Sequence, residues 1–242
     1  MSIYSSLIAL YSNVFAISPD DCHASGMMSV MRLSASTRRR LKQESLARVL
    51  GAAARRIRQE GLGGASIASV MSDAGLTHGA FYSHFSSKEE LEAAAFTHAI
   101  TIGRPQWIPP RRDEGWNDRR KRLAKRYLTT AHRDALENSC GFAALASEAA
   151  HASAQFRGAY ERELRGSLAA ICGTESPNAA HFDDALALMV VLIGGLTVAR
   201  AVPDDALSDR VLRVARRAAI QLADATTDPP ETGANRCSDS GQ

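Results

Sequence analysis

Ser66 to Leu91 reads SIASVMSDAGLTHGAFYSHFSSKEEL, and the pattern of caps and apolar residues in it decides the fold. Ser66 is a good helix N-cap, with Ile67, Val70 and Met71 following at helical spacing. Ala74-Gly75 stops that helix, because glycine tolerates the left-handed conformation of a helix C-terminus. Leu76 is the apolar residue of the turn, and Thr77 is expected to cap a second short helix through Phe85. Ser86-Ser87-Lys88-Glu89-Glu90 restarts the chain, with a serine cap and acids in the first turn facing the helix dipole. Two short helices across a tight turn containing glycine make a helix-turn-helix.

Upstream, the spacing predicts a helix from about Gln43 to Glu60, ended by Gly61. Leu46, Val49, Leu50, Ala53, Ala54 and Ile57 form its buried stripe. Neither short helix can bury its apolar face alone, so the three helices are expected to form one unit. A fourth, from Lys88 to about Ile102, leads out of it. A basic arm, Arg38-Arg39-Arg40 with Lys42, precedes the first helix, and Arg39 and Arg40 are candidates for phosphate or groove contact.

Charge distribution agrees with this placement. The 242 residues carry a net charge of +3, but residues 37–60 hold eight Arg/Lys against two acids and residues 104–126 nine against three. From residue 127 onward there are ten against fifteen, so the positive charge is concentrated where a polyanion would be met.

At this point the sequence resembles the DNA-binding domain of the TetR/AcrR family of transcriptional regulators, over Leu50 to Phe96. The likeness is carried by VLGAAARRIRQEG, by SIASVMSDAGLTHGAFYSHF and by SSKEEL, with Tyr82, His84, Phe85, Lys88 and Glu89 following Gly79. The stretch NSCGFAALASEAAHASAQFRGAY also looks like C-terminal regions of some members. The resemblance implies an operator-binding dimer and places Tyr82, His84 and Lys88 at phosphate-contacting positions. Members often carry a hydroxyl residue where Ala80 stands and a basic one where His78 stands, so the base preference departs from the common pattern.

The residues themselves set the docking mode. A recognition helix reads base edges with its N-terminal residues while the helix before it, headed here by Ser66, crosses the backbone. Thr77 and His78 can hydrogen-bond to bases or phosphates, Gly79 allows close approach, and Ala80 can touch a thymine methyl. Phe81 and Phe85, four apart, belong to the core.

The remainder reads as all-α, giving a three-helix DNA-binding domain joined to a larger helical ligand-binding and dimerisation domain. The expected division is an extension over residues 1–36, the helix-turn-helix domain over 37–87, the larger domain over 88–226, and a Pro/Thr/Ser-rich disordered tail over 227–242. The apolar stretch from Ile3 to Ile17 lacks the preceding basic residues of a secretory signal, so residues 1–36 read as an extension or as sequence upstream of a start at Met27, Met28 or Met31. Arg104-Pro105 and Pro109-Pro110 are read as breaks. Helices are expected over about Trp116 to Leu136, Cys140 to Ala150, Ala154 to Ile171, Asn178 to Ala201 and Asp204 to Ala225. No run is expected to reach a membrane span of about 20 apolar residues. The nearest, Ala185 to Ala201, is interrupted by Gly194-Gly195 and reads as a buried helix.

That helix is apolar nearly all round, and a partner subunit is the natural cover for it. Leu186, Met189, Val190, Ile193 and Leu196 are the expected homodimer interface, and the glycine pair is expected to permit close helix approach. Trp116, Tyr127, Phe142, Phe156 and Tyr160 are candidates for lining the pocket of a small-molecule effector. Cys140 heads a helix whose dipole can lower a thiol pKa, although a buried inert cysteine fits the position better.

The four cysteines form no C-x-x-C pair, which suits a reducing cytoplasm, and no metal-ligand spacing or cofactor fingerprint is present. No catalytic constellation is found. The reading is a cytoplasmic, dimeric, ligand-released repressor acting on a pseudo-palindromic operator, with no cofactor and no membrane partner. A non-specific architectural nucleic-acid binder and a helical enzyme are the alternatives.

Overall fold

In the computed structural model, which describes residues 35–109, 114–174 and 181–221, Ser66 caps its helix as the sequence requires: its hydroxyl accepts from the Ser69 amide at 3.1 Å. The described chain is helical throughout. It divides into Met1–Arg38 and Arg39–Gln242; the described part of the first unit is Ala35 to Arg38. The extension and tail expectations fall mostly outside the described residues.

Helix α1 spans Ala35–Gly64, with Gly61 breaking its backbone geometry at φ 75°, ψ −178°. Val49, Leu50, Ala53, Ala54 and Ile57 are buried as the stripe demands, and Leu46 is half-buried. The basic arm is corrected, because Arg39 and Arg40 are already helical. Good helix formers and an Arg40–Glu44 pair one turn apart extend the helix backwards. Helix α2, Ile67–Asp73, closes on Gly75 at φ 65°. Leu76 N–H donates to the Met71 carbonyl and Gly75 N–H to that of Ser72, at 2.9 and 3.0 Å, the closure that a left-handed residue after a helix permits. Arg56 of α1 grips Asp73 at 2.7 Å and Glu60 at 2.9 Å, tying α2 to α1, and this contact holds the Asp73 carboxyl below its usual range.

The second helix of the turn is a 3-10 helix, His78–Ser83, not an α-helix through Phe85. With six residues including Gly79 it gains too few α-type bonds to lengthen. Thr77 occupies the N-cap, but its hydroxyl makes no capping bond. Phe81 and Phe85 are buried.

Helix α3, Lys88–Trp107, is capped by Ser87, whose hydroxyl accepts from Glu90 N–H at 3.2 Å. The expected stop at Arg104-Pro105 is corrected, because the helix runs through Pro105, which near a C-terminus forfeits only one late hydrogen bond. The long helix expected from Trp116 is also two: α4, Trp116–Tyr127, and α5, Thr130–Asp134, with Leu128 non-helical between them and Thr129 capping α5. Then come α6 (Gly141–Ala149), α7 (Ala154–Cys172), α8 (Phe182–Ala201) and α9 (Asp205–Gln221). Asp204 Oδ1 accepts from Leu207 N–H at 2.6 Å, which confirms the start expected for α9.

The core of the larger part is aromatic. Phe96 of α3 lies 5.5 Å from Phe142, 5.1 Å from Phe156 and, stacked, 5.3 Å from Tyr160. Contrary to expectation, α8 is long and apolar enough by length and composition to cross a membrane. It also packs closely on α9: a Cβ placed at Gly195 would stand 2.5 Å from that of Ala215 and 3.2 Å from Leu128 Cδ2. The close approach expected of the glycine pair is thus made within one chain by Gly195, whereas nothing lies within 4 Å of a Cβ at Gly194. Gly195→Ala should destabilise the protein by about 1–3 kcal/mol through overpacking, and Gly194→Ala should not destabilise it. Equal melting temperatures for the two variants would contradict this packing.

Candidate nucleic-acid interface and ligand pocket

The start of the 3-10 helix is bare. Thr77, His78 and Gly79 are exposed, and a Cβ on Gly79 would meet nothing within 4 Å. Packing inside the protein therefore gives no reason for a glycine there. Ala80 is half-buried, with its amide bonded to the Thr77 carbonyl at 3.0 Å. Tyr82 is 65% exposed, with its ring edge-on to that of Phe81. Ser66 is exposed and shares its hydroxyl with Ser69 at 2.9 Å.

Two of the expected phosphate contacts face the protein instead. His84 turns to α1, with Nε2 2.9 Å from Ser45 Oγ, and burial beside Lys42 lowers its pKa. Lys88 donates to the Leu62 carbonyl at 3.1 Å and pairs with Glu92 at 3.2 Å, so its ammonium fixes α3 to the end of α1. Arg48, expected to project away from the buried stripe, brings its guanidinium within 3.7 Å of the Cβ position of Gly75 in the turn. Arg39 and Arg40 are exposed on α1.

In the larger part, α3, α4, α7, α8 and the segment Ser139–Phe142 surround an apolar cavity of about 40 Å³. Of the candidate lining residues, Tyr127 and Phe142 face it and three do not. Trp116 stacks on His181 at 4.5 Å and carries the Arg120 guanidinium over its ring at 5.1 Å. Phe156 is wholly buried behind Phe96, and Tyr160 stacks on Phe96, with burial pushing its hydroxyl up to about 12. Trp107, Ile100 and Met189 line the cavity instead.

One wall is held by a buried imidazole. His132 lies against Trp107, ring centroids 3.7 Å apart, with Nδ1 2.8 Å from the Tyr127 carbonyl and Nε2 accepting from Cys140 N–H at 3.1 Å. A carbonyl on one side and an amide donor on the other require a neutral ring protonated at Nδ1. Burial agrees, lowering its pKa to about 4. Cys140 is buried too, and desolvation raises its thiol pKa over the opposing pull of the Tyr127 hydroxyl and the helix amides, which supports the inert reading of this cysteine.

The expected subunit face of α8 divides in two. Met189 and Leu196, at 6% and 0% exposure, point into their own chain, Met189 into the cavity. Leu186, Val190 and Val198 are exposed on one ridge, Val190 at 64%, with Gly194 between them and Leu207 and Val214 exposed on α9. Ile193 is half-buried.

Residues 49–95 match the family model of bacterial regulatory proteins of the tetR family. No curated protein matches the sequence. Among solved structures, reduced NemR of E. coli aligns with a TM-score of 0.60 at 16% identity, over 73% of this chain and 95% of that one. A TetR transcriptional regulator of Chloroflexus aurantiacus gives 0.59 at 21%, over 75% and 95%. FadR of Bacillus subtilis, in complex with stearoyl-CoA, gives 0.50 at 16%, over 70% and 97%. At such identities the likeness is one of fold.

Proposed function

We propose that this chain, whose residues 49–95 match the model of the tetR family of bacterial regulatory proteins, is a cytoplasmic homodimeric repressor, released from a pseudo-palindromic operator by a small-molecule effector. The observation that carries the DNA-binding part is the bare start of the 3-10 helix: exposed Thr77, His78 and Gly79 in front of buried Phe81 and Phe85. A glycine with open space around its Cβ position suits close approach of a duplex.

The exposed ridge of α8 with its neighbours on α9 supports an isologous dimer, whose symmetry axis would set two reading heads on successive half-sites. The same ridge is read as a subunit contact, not a lipid contact, because the helix carrying it is packed on α9 through Gly195.

Release would follow from the tightness of the cavity. At about 40 Å³ it holds the share of one or two water molecules, whereas effector sites commonly span roughly 300–1,000 Å³. An occupant must therefore part α3 from α4. Lys88, at the other end of α3, holds the end of α1, so displacement of α3 is passed to the reading head. Operator binding should weaken without dissociation of the dimer.

The test is a footprint on the DNA upstream of the coding sequence, followed by selection of binding sites by variants. His78→Ala and Thr77→Ala should alter base preference at one or two positions, by about 1–3 kcal/mol each. Tyr82→Phe should weaken all sites alike. An unchanged sequence profile for the His78 and Thr77 variants would refute their assignment as base readers.

A further inference from the structure

The cavity beneath α3 holds two buried hydrogen-bonding groups that no protein oxygen or nitrogen satisfies: the Trp107 indole N–H, and the Tyr127 hydroxyl, whose one neighbour is the Cys140 thiol, a weak acceptor. Tyr127 is 5% exposed, and its hydroxyl sits beside the Cys140 thiol. The Trp107 nitrogen lies 3.5 Å from the Cβ position of Gly103, which also faces the cavity. The two rings meet edge-on with centroids 5.8 Å apart. An unmade bond costs a buried polar group about 1–3 kcal/mol.

The cavity's other polar side chains are engaged. Arg104 is neutralised by Glu163 at 2.6 Å and donates to Ser167 at 3.3 Å, while the Ser139 hydroxyl accepts from Arg200 at 3.2 Å. Arg200 gives its other N–H groups to the Arg133 and His132 carbonyls, and apart from the Cys140 thiol the rest of the wall is aliphatic or aromatic. Met189 there has the unbranched, adaptable side chain that repacking requires.

We propose that the effector is a compact, uncharged, largely apolar molecule carrying one hydrogen-bond acceptor, taken up between Trp107 and Tyr127. This rests on the ligand-responsive reading above and sharpens it to a chemical class. An indole nitrogen only donates and a phenol hydroxyl can donate, so the matching group is a carbonyl or ether oxygen. A carboxylate would be disfavoured by the desolvation of its charge in a site whose nearby cations, Arg104 and Arg200, already give their N–H groups to protein acceptors.

Three probes of similar shape separate the contributions: acetophenone (neutral, with an acceptor), ethylbenzene (neutral, without one) and benzoate (charged). Their affinities are measured by calorimetry on the full chain and on Tyr127→Phe and Trp107→Phe. Acetophenone should bind the wild type about five- to tenfold more tightly than ethylbenzene, and both substitutions should reduce that ratio, Tyr127→Phe to near unity. Tyr127→Phe removes an oxygen whose one neighbour is a thiol, so its melting temperature should stay close to that of the wild type; a marked fall would show that the hydroxyl is structurally satisfied and overturn the proposal. Equal binding of acetophenone and ethylbenzene, tighter binding of benzoate, or no binding of any probe would also overturn it. Gel shifts on the same preparations keep the two readings apart: specific retardation without a probe response leaves the DNA-binding reading standing and removes this one.

Discussion

Val190→Glu is expected to leave the fold intact, convert the protein to a monomer and weaken operator binding about 100-fold or more. Val190 is exposed in the single chain, so the carboxylate is solvated in the monomer and unfolding has no cause. In the proposed dimer the same position faces its symmetry mate, and two carboxylates would meet across an apolar contact formed by Leu186, Val198, Leu207 and Val214. Each half-site would then be bound alone, without the effective concentration that a linked second head supplies. Sedimentation equilibrium, circular dichroism and gel shift separate the outcomes. A dimer that survives the substitution would remove α8 from the interface, and a monomer with undiminished affinity would remove the two-half-site reading. Met189→Glu provides the contrast: the residue faces the cavity of its own chain, so that variant should lose stability instead of changing assembly.

Met189 and Val190 also show where the sequence stops being informative. Along α8 almost every position is apolar, so helical periodicity has no polar contrast with which to distinguish an inward face from an outward one. Along α1 the contrast is strong, and the stripe from Val49 to Ile57 was legible except at Ala52, which is buried as well. The caps at Ser66 and Ser87 and the glycine turn at Gly75 were legible because each is a local hydrogen-bond solution. The break at Leu128 was not, because it comes from tertiary contacts: the Leu128 carbonyl is taken by Arg216 and the preceding Tyr127 carbonyl by His132. The same limit applies to the cavity, which is lined by Trp107 and not Trp116; both stand near helix ends in basic stretches. Lys88 and His84 have the residue types of phosphate contacts, and only the fold shows that their polar atoms are turned to Leu62, Glu92 and Ser45.

Gly61→Ala should cost about 2–4 kcal/mol of stability, as the sum of two separable effects. Its backbone, at φ 75° and ψ −178°, occupies a region open essentially to glycine alone. An added Cβ would also stand 2.5 Å from Glu148 Oε1. That carboxylate accepts from the Leu62 amide at 2.8 Å, a bond spanning 86 residues that joins the end of α6 to the kinked end of α1. Helix α6 begins at Cys140–Phe142, on the cavity wall, so in the proposed mechanism this bond would be a second route, beside Lys88, from the cavity to the reading head. Glu148→Gln keeps an acceptor and should be nearly neutral. Glu148→Ala leaves the Leu62 amide unpaired and should cost about 1–3 kcal/mol. In the double variant Gly61→Ala/Glu148→Ala the clash disappears, so its cost should fall short of the sum by about 1 kcal/mol or more. Urea titrations give the four free energies, and hydrogen exchange at the Leu62 amide reports the bond directly. Strict additivity would show that Glu148 and Gly61 act independently, and Leu62 exchange unaltered in Glu148→Ala would remove this route from the cavity to the reading head.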